Sequence, residues 1–288
     1  MLSSKAKKAL SPNTEFIDLQ GIVPRARHYF AAGINFCLVG PAGIGKTTLV
    51  HELAGGVDNI RTIIGGEMHV ADLLGGLRLI NSETVWLDGP VAEAAEKGLT
   101  LYADELTGFN EDCLRVLHSL LDFRRRIFVA ANNREVAVHP DFRFVASCNL
   151  SATGIDPLTR EFRDRLVYIH MNRLDSCTEA KLLCDRYDIS VEDAEYLIQF
   201  AAVTRKADQN GGASTRQLES AALAVSRGVA RFHAAADCIL SSIAGSSTSQ
   251  RDSLLNMVKA EGLELNSDWV SRPVENSVVV TDEEEVWS

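Results

Sequence analysis

Positive charge is the first shortage in this sequence. Lys and Arg number 29 against 39 Asp and Glu, a formal net charge of -10 over 288 residues. Coating nucleic acid takes concentrated cationic charge, so that role is disfavoured and only a local basic strip stays open. Apolar residues make up 46% of the chain, yet none of their runs approaches the ~18 residues that span a bilayer. Lys5, Lys7 and Lys8 stand near the start, but Ser11, Pro12, Asn13 and Glu15 follow where a signal peptide needs an apolar stretch. The 6 cysteines include no CxxC pair. They read as small buried hydrophobes in a reducing compartment, not as a disulfide framework. The 7 histidines lack HExxH or any paired ligand spacing, so no zinc site is expected. Neither a Gly-x-Ser-x-Gly elbow nor a Cys/His arrangement points to nucleophilic catalysis. What is left is the composition of an acidic, soluble, cytoplasmic protein with chain enough for about two domains.

What is present is alternation. Residues 1–20 are polar and mixed, an N-terminal arm. From Asn35 onward short apolar runs alternate with helical stretches, the pattern of βαβ units around a parallel sheet. The expected strands cover 36–39, 60–64, 99–103, 142–148 and 167–171, which makes 21–172 an α/β domain. Two pieces interrupt it: apolar runs flank Asn81-Ser82-Glu83 and again Asn132-Asn133, and asparagine tolerates the positive φ of a hairpin turn. Past Asn172 the strands stop. Ser176-x-x-Glu179, Ser190-x-x-Asp193 and Ser214-x-x-Gln217 are three capping-box-like helix starts, so 173–243 reads as a helical domain. From residue 244 the composition turns to Ser and Thr, with one short helix expected near 252–261 and an acid-rich stretch at Thr281–Glu285, the makings of an acidic tail.

The chemistry collects at strand ends. Gly40-Pro41-Ala42-Gly43-Ile44-Gly45-Lys46-Thr47, with Thr48 next, fits G-x-x-x-x-G-K-[ST] between an apolar run and a helix start. Glycines let consecutive backbone N–H groups curl around phosphate, Lys46 reaches the β- and γ-phosphates, and Thr47 can ligate Mg²⁺. Leu99–Ala103 ends in Asp104-Glu105. Asp104 suits Mg²⁺ or its water shell, and Glu105 can polarise an attacking water. A third apolar strand ends in Asn149, which can hold water or the γ-phosphate. Arg160, Arg163 and Arg165 crowd the approach to Val167, and near a nucleotide such arginines can neutralise transition-state charge. Arg216 sits in the first turn of the helix capped by Ser214, a position that favours an anionic partner.

Taken together, these segments resemble the MoxR-type AAA+ ATPases, and within them the subgroup of rubisco-activase, nitric-oxide-reductase-activation and gas-vesicle ATPases. The resemblance covers residues 34–228 and is carried by the segments at 40–47, 71–76, 84–90, 99–105, 117–120, 139–144, Asn149 and 214–216. It implies an AAA+ P-loop core with a parallel five-stranded sheet and two hairpin inserts, followed by a small helical lid. It implies ATP and Mg²⁺ as cofactors, Asn149 as sensor 1 and Arg216 as sensor 2. It also implies Arg165 as the arginine finger, with Arg163 the alternative. The partners implied are further copies of the chain in a hexameric ring, a von Willebrand factor A domain protein, and a client enzyme or complex activated in a chaperone-like or metal-inserting role. Two departures stand out: Leu166 follows Arg165 where the family has Phe, and Asn149-Leu150-Ser151 replaces the common Asn-Pro. A nucleotide-gated assembly scaffold is the competing reading, and a nucleic-acid-directed NTPase motor is disfavoured by the net charge of -10.

Overall fold

The computed structural model describes residues 16, 18, 21–149, 158–207 and 212–263. The chain divides into two compact units, one ending at Leu174 and the other beginning at Asp175.

The first unit is built in three layers. Its elements in chain order are α1 (Ile22–Ala31), β1 (Phe36–Val39), α2 (Lys46–Ala54), β2 (Ile60–Gly66), α3 (Val70–Leu74), β3 (Gly75–Ile80), β4 (Glu83–Asp88), α4 (Pro90–Lys97), β5 (Thr100–Phe109), α5 (Glu111–Leu120), β6 (Arg126–Val129), β7 (Arg134–Ala137), β8 (Arg143–Cys148), α6 (Arg160–Arg163) and β9 (Val167–His170). Five of the strands form one sheet in the order β2-β5-β8-β1-β9, and every pairing in it is parallel. Both faces of such a sheet are covered, which is why β1 is apolar at every position and wholly buried. The period-2 alternation of strands sorts the core. Phe36 and Leu38 pack with Tyr102 and Val145 beneath α1 and α2, whereas Cys37, Val39, Ala103 and Ala146 join Leu73, Val91 and Leu117 from α3, α4 and α5.

Two details differ from the sequence reading. Asp18, assigned to the arm, accepts from the N–H groups of Ile22 and Val23 at 2.8 and 2.9 Å and so caps α1. Phe16 packs against the core as well, so residues before 21 contribute to the first unit. The rest of the 1–20 arm lies outside the described residues. Of the cysteines, Cys37, Cys113 and Cys148 are buried as expected, but Cys177 is exposed on the first turn of a helix.

The two inserts are antiparallel hairpins. Asn81 and Ser82 take φ values of 51 and 67, the two successive positive angles of a tight two-residue turn, and join β3 to β4. β6 and β7 are joined through Ala130–Asn132 and Asn133, itself at φ 51. Neither hairpin joins the central sheet.

The second unit is helical: α7 (Ser176–Tyr187), α8 (Val191–Ala207), α9 (Thr215–Ser226), α10 (Arg231–Ala235), α11 (Ser241–Ala244) and α12 (Thr248–Ala260). Ser214 and Gln217 form the expected capping box. Ser176 does not cap its helix. Asp175 accepts the Thr178 N–H instead, and Glu179 turns inward, fully buried. There it receives Arg205 Nη1 at 2.7 Å and Nη2 at 3.0 Å, and the Thr215 hydroxyl at 2.8 Å. A tail starting at residue 244 is also corrected. Ser247 caps α12, and Leu254 and Val258 are buried on one stripe of it, so the helical unit continues to Leu263, whose carbonyl accepts from Tyr196. The Ser/Thr-rich composition concealed this, because two apolar residues four apart suffice to dock a short helix. The acid-rich stretch at 281–285 lies outside the described residues.

Removing one member of a buried, fully bonded ion pair strands the other charge. Glu179→Ala should therefore cost about 3–5 kcal/mol of stability in the helical unit, measured by urea unfolding, and Glu179→Gln, which keeps the volume and two polar atoms, less.

Candidate phosphate-binding and hydrolytic site

The parallel register sets three strand ends side by side. Val39 pairs with Cys148, and Ala103 pairs with Ala146. The residues that follow (Gly40 after β1, Asp104 within β5 and Asn149 after β8) consequently share one edge of the sheet. In open parallel sheets this carboxyl edge is where ligands bind.

The loop at 40–47 runs straight from β1 into α2. Gly45 is the N-cap at φ 90, a left-handed angle that costs a side-chain-bearing residue dearly, and no side chain caps the helix. The first-turn N–H groups of α2 thus have no intrahelical partner and face the loop, a ready anion site. Lys46 is 8% exposed and its ammonium donates to Gly40 O at 2.8 Å, Pro41 O at 2.8 Å and Asn149 Oδ1 at 2.9 Å. Burial lowers its pKa from the usual lysine value, and the Asp104 carboxylate, first among its charged neighbours, works in the other direction. The two expected phosphate-sensing residues, Lys46 and Asn149, are thereby in direct contact.

The acidic pair is held by a network that sequence reading missed. Asp104 Oδ1 accepts from the Tyr102 hydroxyl at 2.9 Å, from the Ser147 hydroxyl, and from the Glu105 N–H at 3.1 Å. Tyr102 OH is also 3.3 Å from Thr47 Oγ1, linking the loop to the acids. Burial pushes the Tyr102 phenol well above its ordinary range, so it stays protonated. A signal for these residues existed: Tyr102 and Ser147 lie two positions before Asp104 and Asn149, and strand positions i and i+2 share a face.

Glu105 sits at φ 53, in the left-handed region, where the pairing of β5 with β2 shifts register. A carboxylate on a backbone held there is aimed by the surrounding structure, not by strand geometry. Gly65 makes room for it, since a Cβ on Gly65 would lie 2.1 Å from the Glu105 carbonyl oxygen.

The donor set fits a hard divalent cation. Thr47 Oγ1 and the Asp104 carboxylate offer the oxygen donors such a cation takes, and among the described residues Asp104 Oδ2 accepts no hydrogen bond. The structure does not bring Arg165 to its own phosphate loop. Val167 pairs with Phe36 at the start of β1, which puts Arg165 at the opposite edge from Gly40, with Nη1 on the Glu161 carbonyl. Arg163 is exposed on α6. Arg216 belongs to the second unit, in the first turn of α9.

A β2-β5-β8-β1-β9 parallel sheet, a glycine loop entering a helix at Lys46, and an Asp-Glu strand end beside a polar strand end define a P-loop ATPase. Residues 35–166 match the AAA domain (dynein-related subfamily), and residues 179–261 match the CbbQ/NirQ/NorQ C-terminal domain. The chain is 30% identical to Protein NorQ of Paracoccus denitrificans over 198 residues, 67% of this chain and 73% of that protein. It is 28% identical to Protein CbbQ of Hydrogenophilus thermoluteolus over 214 residues, 72% of this chain and 80% of that protein. The chain belongs to the CbbQ/NirQ/NorQ family of MoxR-type AAA+ ATPases.

A methyl group at residue 65 cannot coexist with the Glu105 carbonyl, so Gly65→Ala should displace Glu105 and leave the 40–47 loop in place. Nucleotide affinity by calorimetry should hold while single-turnover cleavage falls, by up to the ~10²–10⁴-fold that a well-placed proton acceptor contributes.

Proposed function

We propose that the chain binds ATP with Mg²⁺ on the 40–47 loop, hydrolyses it within a ring of identical subunits, and uses the cycle to remodel and activate a partner enzyme. The observation that carries this is the contact of Lys46 with Asn149 at 2.9 Å beside the anchored Asp104-Glu105 pair. Gly40, Pro41, Ala42, Gly43, Ile44 and Gly45 supply the backbone cradle, and Thr48 extends it into the helix. Lys46 exchanges carbonyl and amide partners for phosphate oxygens. Mg²⁺, held by Thr47 and Asp104, would neutralise charge on the phosphates. Glu105 takes the proton of the attacking water, and Asn149 orients that water or the γ-phosphate.

This chemistry calls for one cation beyond Lys46 and the metal. Charge spreads over the equatorial oxygens of the transferring phosphoryl group, and an arginine placed there is worth on the order of 10³–10⁵ in rate. Arg165, at the far edge of its own sheet, suits a neighbour's nucleotide, and Arg163 is the alternative. Arg216 suits the sensor role within the same chain. The family likeness supports a hexameric ring, a von Willebrand factor A domain partner, and chaperone-like or metal-inserting activation, and the composition supports action in the cytoplasm. Leu77 and Leu79 on the first hairpin and Phe128 on the second are exposed, and they offer apolar surface for a client. Among the described residues no helix is long and apolar enough to cross a membrane.

Glu105→Gln should keep ATP affinity and lose about 10²–10⁴-fold in single-turnover hydrolysis, because an amide cannot accept the proton. A rate within a few-fold of wild type, measured by rapid quench, would remove Glu105 from the mechanism. Arg165→Ala and Lys46→Ala subunits, each inactive alone, should regain turnover on mixing, since each supplies the half the other lacks. Mixtures that stay silent although co-assembled would place the arginine elsewhere.

A further inference from the structure

The sequence patterns give Tyr102 and Ser147 no chemical role, yet both hydroxyls converge on one oxygen of Asp104. Proton counting gives that arrangement a direction. Tyr102 has a single hydroxyl proton and donates it to Asp104 Oδ1 at 2.9 Å. At the 3.3 Å contact with Thr47 the phenol oxygen can then only accept, so the Thr47 hydroxyl must be the donor. With its proton committed to Tyr102, Thr47 Oγ1 presents lone pairs on its other side. A hard cation needs lone pairs and is repelled by a proton.

Asp104 is sorted in the same way. Oδ1 accepts from Tyr102, Ser147 and the Glu105 N–H, which exhausts its capacity. Oδ2 accepts from none of the described residues and is left for a cation or its water. Ser147 has a second contact, accepting from the Glu105 backbone N–H at 3.3 Å, so one side chain holds the Asp104 carboxylate and the backbone that carries Glu105. Tyr102 and Ser147 are 0% and 1% exposed, so neither hydroxyl is in contact with bulk water.

We propose that Tyr102 and Ser147 are positioning residues for the divalent cation. The relay from Thr47 through Tyr102 to Asp104 sets the proton of Thr47 and the free oxygen of Asp104, and Ser147 locks the same carboxylate. This rests on the ATP and Mg²⁺ reading above and adds two residues to it. It also explains a polar phenol in the middle of a parallel sheet, where packing alone would be served by phenylalanine.

Tyr102→Phe removes one oxygen and keeps the ring. The full chain is compared with wild type by thermal melting without ligands, by ATP affinity in EDTA, and by ATP affinity and single-turnover cleavage across a Mg²⁺ titration. Outer-sphere partners of metal ligands are typically worth ~10–100-fold in metal affinity. The half-saturating Mg²⁺ concentration should therefore rise about tenfold or more, with ATP affinity in EDTA unchanged. Direct Mn²⁺ binding to the ATP complex, followed by electron paramagnetic resonance, should weaken in parallel. Ser147→Ala should show the same Mg²⁺ shift and also a lower rate at saturating Mg²⁺, through its contact with Glu105. If Tyr102→Phe does not fold, Ser147→Ala decides alone. Variants that melt lower but keep the wild-type Mg²⁺ dependence would make both hydroxyls merely structural and overturn the proposal. A wild-type chain whose nucleotide binding ignores Mg²⁺ would instead overturn the underlying reading of the site.

Discussion

The register of three parallel strands is the constraint on which the rest depends. With Val39 opposite Cys148 and Ala103 opposite Ala146, the residues following each strand have no choice but to meet. Lys46 reaches Asn149 because the loop turns back over the edge of β8, and Asp104 reaches Ser147 because β5 and β8 are neighbours. A slip of one residue in either pairing would send Asp104 or Asn149 to the other face of the sheet. Continuous burial of β1 guards against such a slip, since each of its four side chains has a place in one of the two core layers.

Rigid pairing explains placement, and local irregularity explains aim. β5 does not end at the acids but passes through them, with Glu105 at φ 53 and Gly65 yielding space on the neighbouring strand. The cost of such a backbone is of order 1–3 kcal/mol and is carried by the surrounding hydrogen bonds. Asp104 stands one residue earlier, still in register with Ile64, and is fixed by hydroxyls. Adjacent carboxylates thus have different supports, one tied down on both flanks and one projected from a strained turn. That difference suits a metal-holding group beside a group that moves a proton.

Much of this was legible in the residues, and the illegible part has identifiable causes. The glycine loop, the Asp104-Glu105 strand end and both hairpins announce themselves through local rules, because turn chemistry and apolar runs act over a few residues. The five-stranded parallel sheet follows from the same runs. Tyr102 and Ser147 share a strand face with Asp104 and Asn149, but inside an apolar strand that i, i+2 spacing names no partner until the neighbouring strand is known. Glu179 misled for a related reason. Its spacing from Ser176 satisfied a local capping rule, but Arg205 and Thr215, distant in sequence, offered a buried carboxylate three hydrogen bonds. Helix α12 was expected near 252–261, but its start at Thr248 and its docking through Leu254 and Val258 were obscured by composition, and α1 by the polar residues that precede it. Long-range partners decide these cases, and single-sequence patterns do not contain them.

The central claim is that the edge built from Lys46, Asp104, Glu105 and Asn149 cleaves ATP once a neighbouring subunit completes it. Rapid-quench measurement of single-turnover ATP cleavage against protein concentration tests this most directly. The account predicts a rate that climbs as subunits associate and then levels off when every site has a neighbour. A rate independent of concentration across the whole range of assembly, or bound ATP that is never cleaved, would contradict it.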